Sequence, residues 1–492
     1  MKRKILNIAA VLLFAGSLQA QQLDSYITDI FNFSSLGLDG TASYVGRAGA
    51  IGALGGDFTA GSYNPAGLGL FYSSQISITP SVNWASNNNT YMGLNGTSDR
   101  TTFNLSDLAV LLAIPTNKSD DWQAWQFGIG FNKLKNFNNK IYAEGDWTRT
   151  SIVDSWVNAA NVNPSALDNF STALAYDTWL IDTVIGSGGN TLFNNFAGHT
   201  NQLYQTEQIT ESGWLNEMTF SLSGNYNDRF YIGGTIGIPF LSYRNTEIYR
   251  ETATTDEYFD YTSYRDMSGA GVNMKIGAIY RPAEFLRIGF AFHTPTWYSI
   301  EEVYASSILN STSTHEYYSE SGEVADEFWF RSPLKLIGSL ALTFGNMNSP
   351  VAGSLDFDYE FTNYGGMAFT TANEGPTNDL YYETWKNNLN QTIEANYRAA
   401  HTFRIGGTLN IKKFAVRAGF AHNTNPYKEA TELDASSTMY SAGLGYQNKH
   451  YFIDFAYARV MQKDKFTLID PNEVLSVNRD NNIFVLTMGL KF

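Results

Sequence analysis

The chain of 492 residues contains no cysteine. That absence excludes disulfides, zinc–thiolate sites and cysteine nucleophiles together. After residue 20 there is no apolar run long enough for a transmembrane helix. Basic residues are in the minority, 32 against 47 acidic. Such a balance repels phosphate backbones and argues against a nucleic-acid partner. Proline is scarce at 12, beside 42 Gly, 30 Tyr, 33 Phe and 10 Trp. This is the usage expected of many aromatic-girdled β-strands.

Residues 1–20 read as a secretory signal: Lys2, Arg3 and Lys4, an apolar core over 8–14, and small residues ending at Ala20. With no Cys to follow, a lipid anchor is excluded. Beyond the signal, 29 basic residues face 47 acidic ones, a charge of −18. An exported chain without disulfides must take its stability from burial or from closed hydrogen-bond ladders.

Period-2 segments fill the rest of the chain. Fourteen are expected, near 72–84, 101–114, 122–135, 216–227, 229–248, 260–281, 284–300, 327–345, 351–363, 399–411, 414–424, 437–447, 450–461 and 481–492. The last is the clearest. Phe484, Leu486, Met488, Leu490 and Phe492 share one face, while Ile483, Val485, Thr487, Gly489 and Lys491 share the other. Elsewhere Leu286, Ile288, Phe290 and Phe292 oppose Arg287, Gly289, Ala291 and His293, and Leu355, Phe357, Tyr359 and Phe361 oppose Ser354, Asp356, Asp358 and Glu360.

A soluble sandwich would alternate in the same way, with its apolar row inside. The connections discriminate. Tight turns such as Asp228, Pro282-Ala283, Lys412-Lys413 and Asn448-Lys449 alternate with longer links at 85–100, 136–215, 249–259, 301–326, 364–398, 425–436 and 462–480. A membrane barrel with short periplasmic turns and long outer loops has that asymmetry. The expected fold is all-β: a 14-stranded antiparallel transmembrane barrel over 72–492. The polar row then lines the lumen with Lys275, Arg287, His293, Lys335, Arg404, Arg417, Asp356, Asp358, Glu360 and Asp454. These charges must pair or be wet. Either they form a structural network, or some of the cations meet a carboxylate ligand.

Residues 21–71 precede the barrel, and 34–70 carry ten glycines. The segment is too apolar for a solvated linker, with Phe58, Tyr63 and Leu68 among its large side chains. It is expected to be a tightly turned plug, neither helix nor strand, buried in the lumen. Gly46-Arg47-Ala48-Gly49, Gly55-Gly56-Asp57 and Asn64-Pro65-Ala66 resemble the N-terminal hatch of the outer-membrane long-chain fatty-acid transporters (FadL/TodX type). Tyr280-Arg281-Pro282 and His293-Thr294-Pro295 are similar to runs in the same family.

That resemblance implies passive uptake of fatty acids or other hydrophobic compounds. It further implies capture outside, rearrangement of the hatch, and lateral release through a gap near the third strand, with no cofactor, metal or catalytic residue. Phe127-Gly128-Ile129-Gly130-Phe131 offers glycines for the bend at that gap. The hatch motif residues are Gly46, Arg47, Gly55, Gly56, Asp57, Asn64, Pro65 and Ala66. Phe58, Tyr63 and Leu68 are candidate ligand contacts. So are Trp156, Phe170 and Trp179 of the long second outer loop, where helical spacing suggests either a cap or a capture surface. Expected partners are the hydrophobic ligand, outer-membrane lipid and, through the C-terminal Phe492, the barrel assembly machinery. The chain is expected to be a monomer.

Other readings are a structural or adhesive barrel, a general diffusion porin, and a barrel-embedded enzyme. The enzyme reading has only His401 and His422 as neighbouring rim histidines and no Gly-x-Ser-x-Gly motif.

Overall fold

A computed structural model describes residues 25–492 except 117–120, 146, 149, 186–190, 196–201, 346–348, 371–379, 432 and 468–473. The expected signal at 1–20 lies outside the described residues.

The alternating segments form one closed antiparallel wall. In chain order its strands are β1 (Gln75–Tyr91), β2 (Leu94–Pro115), β3 (Trp122–Asn136), β4 (Leu203–Tyr226), β5 (Phe230–Ala253), β6 (Tyr258–Ala283), β7 (Leu286–His293 with Trp297–Ser311), β8 (Val324–Arg331 with Lys335–Phe344), β9 (Val351–Asn363), β10 (Ala399–Ile411), β11 (Phe414–Asn423), β12 (Ser437–Gln447), β13 (Tyr451–Thr467) and β14 (Val474–Lys491). Each pairs with the next, and β14 returns to β1 from Gln75↔Lys491 to Thr90↔Ser476. Closure pairs every strand with both neighbours, as strands in hydrocarbon require, and leaves an edge where β2 and β3 part above Asp107. Fourteen strands were expected and fourteen are present.

The greasy row faces out. In β5, Phe230, Ile232, Ile236 and Phe240 are 38–54 % exposed, whereas Tyr231 and Leu241 are 1 % and 3 % exposed. In β14, Phe484, Met488, Leu490 and Phe492 are exposed while Ile483, Val485 and Thr487 are buried. The same exposed row recurs in β9 (Leu355, Phe357, Tyr359) and β11 (Phe414, Val416, Phe420). A continuous apolar band of this kind is untenable in water and natural in lipid.

At one end the turns are short. Asn227 and Asp228 both have positive φ (51° and 52°), as does Lys412 (55°). This geometry follows the strand twist. β1 begins and β14 finishes at this end, which marks it as the periplasmic rim.

The outer end departs from expectation. Residues 85–100 form no loop: β1 and β2 run on to a two-residue turn at Met92-Gly93, both with positive φ. Similarly, 249–259, 301–326 and 462–480 are largely strand. Above the apolar band both faces of these strands are polar, as with Asn87 and Asn89 on the inner face and Asn88 and Thr90 on the outer. The hydrophobic period therefore ends before the ladder does.

The second outer loop holds α4 (Ile152–Val162), α5 (Thr172–Asp177) and a hairpin of Ile181–Ile185 with Thr191–Asn195. Val153, Trp156, Leu174 and Leu180 pack on Tyr249, Phe259 and Ile308 of the wall. Ser151 caps α4 by accepting from the Val153 amide, and Glu251 of β5 accepts from Ser151 Oγ at 2.6 Å. The loop is a folded-back cap. The link over 364–398 contains a 17-residue helix (Leu380–Asn396).

Inside the wall lies residues 25–71. A helix over 25–34, α1, was not anticipated. Below it the segment expected to be neither helix nor strand has two one-turn helices, α2 (Ala42–Val45) and α3 (Ala60–Tyr63), and a 3-10 turn at Pro65–Leu70. Glycine spacing had masked these turns.

Candidate functional site

The hatch folds around its own polar pairs. Thr41 Oγ1 caps α2 and donates to Asp57 at 2.7 Å, and Asp57 also accepts from the Thr59 amide at 2.9 Å. Arg47 donates to the Ser43 carbonyl at 3.0 Å, with Asp57 at 3.9 Å. Gly55 and Gly56 have φ of 61° and 67°, and a Cβ at Gly55 would lie 2.7 Å from the Cα of Gly67. Gly46 passes close to the wall at Gly443.

Asn64 fixes the exit. Its side chain accepts from the Ala66 amide at 3.3 Å and donates to the Gly52 carbonyl at 2.5 Å, and Pro65 opens the 3-10 turn. The wall makes room for it. A Cβ at Gly277 would fall 1.8 Å from Asn64 Oδ1, and one at Gly233 would fall 2.5 Å from the Pro65 carbonyl carbon. These two wall glycines were not singled out from sequence, because glycine on an inward row is common.

The wall also grips the hatch through side chains. Asp358 accepts from the amides of Ile51 (3.0 Å) and Gly52 (2.9 Å). Arg287 donates to the Leu54 carbonyl at 2.6 Å, and His293 Nε2 meets the Tyr63 carbonyl at 2.7 Å. Glu217 accepts from Ser62 (3.1 Å) and Thr487 from the Ala42 amide (2.7 Å). Of the other lumen cations singled out, Lys275 pairs with Glu217, Arg404 with Glu360 at 2.9 Å and Arg417 with Asp454 at 2.6 Å. Arg404 also donates to the Tyr63 hydroxyl at 2.9 Å. Each of these five side chains therefore has a protein partner.

Above the hatch, α1 and the 380–396 helix form a second plug. Ile30, Phe33, Leu389 and Ile393 are 0 % exposed and join Phe137, Tyr243, Phe328, Phe330 and Phe369 in one cluster. Asp29 pairs with Arg265 at 2.8 Å, and Arg265 with Glu302 at 2.6 Å. Burial pushes the Asp29 carboxyl up to about 6, against the pull of Arg265. Lys135 donates to the Asn32 carbonyl at 2.7 Å, near the end of α1 where the helix dipole favours a cation.

Between the plugs lies a chamber of about 370 Å³. Phe31, Tyr44 and Tyr63 line it, and so do Arg100, Lys133 and Lys135 of the adjoining wall. Among the predicted ligand contacts, only Tyr63 reaches it. Phe58 packs on Phe71 within the hatch, and Leu68 is buried in the same core. Trp156 lies against Phe259 and Tyr261, Phe170 against Tyr304, and Trp179 is 55 % exposed on the crown. His401 and His422 bond separately, to Tyr359 at 2.8 Å and Thr438 at 3.1 Å, and form no pair.

The wall beside the chamber has an incomplete ladder. β2 and β3 pair from Pro115↔Ala124 up to Asp107↔Asn132 and no further among the described residues. The register slips at Lys133/Lys135, and the chain continues as Asn139–Glu144 on β4 alone. This piece crosses the inner face of the β1–β2 hairpin. There Asn87 and Ser98 donate to the Lys140 carbonyl, each at 2.6 Å. Phe103 of β2 is left 85 % exposed next to the gap. Gly128 and Gly130, expected to make the bend, sit within the ladder opposite Leu111 and Ala109. The departure comes at the bulge above them, because a bulge removes pairing where a glycine need not.

Residues 38–492 match the family model described as outer membrane protein transport protein (OMPP1/FadL/TodX). No curated protein sequence matches. A FadL homologue of Pseudomonas aeruginosa shares the fold with a TM-score of 0.52 at 14% identity, over 93% of this chain and 99% of that one. The P. putida toluene transporter TodX gives 0.51 at 13%, again over 93% and 99%. The CymD monoaromatic hydrocarbon channel gives 0.51 at 11%, over the same shares.

Proposed function

Because the chain belongs to the OMPP1/FadL/TodX family of outer-membrane transport proteins, we propose that it takes up long-chain fatty acids or other hydrophobic compounds by passive transport. Ligand enters from the crown past α1, rests in the chamber, and leaves sideways between β2 and β3 once the hatch shifts. The drive is transfer of apolar surface out of water, about 25 cal/mol per Å². No ATP, metal, cofactor or catalytic residue takes part.

One observation carries this reading. The chamber is plugged above and below, and the wall beside it lacks a ladder. Arg100 and Lys133–Asn139 line the chamber and border the gap at once. The gap lies in the outer half of the apolar band, since Phe131 is level with Met218 and Asn136 with Trp214.

Fatty acids and small aromatics are the ligand classes to compare, since a FadL homologue and a toluene transporter share the fold. Labelled palmitate and toluene would be followed into cells lacking their own transporter, and lipophiles co-purifying with the barrel identified by mass spectrometry. Uptake of either, with bound lipophiles, is expected. Open ion conductance without bound lipophiles would make the protein a diffusion porin. Surface binding unchanged after deletion of 34–64 would make it an adhesin. The chain is also read as a monomer whose C-terminal Phe492 is recognised by the barrel assembly machinery. Removing Phe492 then lowers the amount inserted, not its selectivity.

A further inference from the structure

The periplasmic rim is electrically uneven. On the arc of β10–β13 its turns carry Lys412 and Lys413, then Lys449 and His450. Neither turn contains an Asp or Glu, in a chain with 47 acidic residues against 32 basic. On the arc of β3–β7 the turns carry Asp121, Asp228 and Glu284 beside Arg229.

The basic turns are exposed at Lys412, Lys413, Lys449 and His450. Register holds these positions side by side through Phe414↔Tyr446, Tyr446↔Ile453 and Tyr451↔Leu490. At about 4.8 Å per strand the patch is roughly 15 Å across. Immediately above it runs an aromatic girdle, with Phe414 and Tyr446 rings 5.3 Å apart and Tyr446 and Tyr451 rings 6.0 Å apart. Aromatic rings mark the depth of lipid headgroups, so the lysines sit at the level of the phosphates in the periplasmic leaflet.

We propose that this arc binds the anionic headgroups of periplasmic-leaflet phospholipid, of the phosphatidylglycerol type. Clustered lysines attract such headgroups over about a Debye length, whereas zwitterionic headgroups offer no net charge. The mixed turns of β3–β7 give no equivalent pull. One side of the barrel is therefore tied to charged lipid and the other, which holds the gap in the wall, is not.

The full-length barrel in nanodiscs of equal phosphatidylglycerol and phosphatidylethanolamine tests this by native mass spectrometry. Retained lipid should be enriched in phosphatidylglycerol by about threefold or more. The variant K412S/K413S/K449S should lose the enrichment, and the matching Lys→Arg variant should keep it. No enrichment in the unaltered protein, or full enrichment in the serine variant, overturns the proposal. Should the serine variant fail to insert, raising NaCl on the unaltered protein decides. Enrichment falling towards parity supports the headgroup site, and enrichment indifferent to salt overturns it.

Discussion

The two plugs close the same lumen by different physics. The hatch is held by directional bonds to single wall atoms: Asp358 to two amides, Arg287 and His293 to carbonyls, and Asn64 seated against Gly277. The α1 plug is held mainly by apolar burial around Ile30 and Phe33, with one ion-pair chain at Asp29. Directional bonds break one at a time and favour discrete positions. Buried aromatic surface tolerates sliding and repacking. The pairing suits a compliant outer gate above a latched inner one.

The largest expected effect is at the outer gate. Phe33→Ala should cost about 3–5 kcal/mol of local stability. Hydrogen exchange over 25–34 should then accelerate while the hatch amides stay protected. If the hatch loosens equally, the two plugs are one unit.

Gly277→Ala strikes the other side of the comparison. Its methyl group would displace Asn64 and cost about 3 kcal/mol of hatch stability. Exchange of the hatch amides over 41–66 should accelerate with α1 still protected.

Asp358→Ala leaves the Ile51 and Gly52 amides without their acceptor, at about 2 kcal/mol. Exchange at Ile51 and Gly52 should accelerate while the hatch amides held by the other latches stay protected.

The smallest effect is with pH. The docked Asp29 carboxyl titrates near 6, above its usual range near 4. The docked state thus holds more protons between these values, and docking strengthens as pH falls through 6. The protection factor over 25–34, corrected for the intrinsic pH dependence of amide exchange, should be higher at pH 5 than at pH 7. The reverse order would place Asp29 outside control of the plug.

The wall was legible because Leu286–His293 or 483–492 carry an unbroken two-residue period that only a two-faced strand explains. The outer ends were not, since Asn87 and Asn89 on the inner face and Asn88 and Thr90 on the outer are all polar and leave no period to read. Gly46 through Ala66 signalled a plug, but not its latches. That Asp358 would meet Ile51, 307 residues earlier, is set by barrel closure and by no local pattern. The α1 helix had a signal in the spacing of Tyr26, Ile27, Ile30 and Phe33, all buried. It falls before residue 38, where the family match begins. Trp156 and Trp179 looked alike in sequence. One is buried in the cap and the other exposed on it, a difference that only the packing of α4 on Phe259 decides.

The run of chain from α1 down to Phe71 bears on how the molecule can be made. It spans the lumen from the outer plug to the periplasmic rim, and every strand that encircles it lies later in the sequence. The final ladder, β14 on β1, closes the ring around that run. The earliest described residues thus fill the space that the last strand shuts.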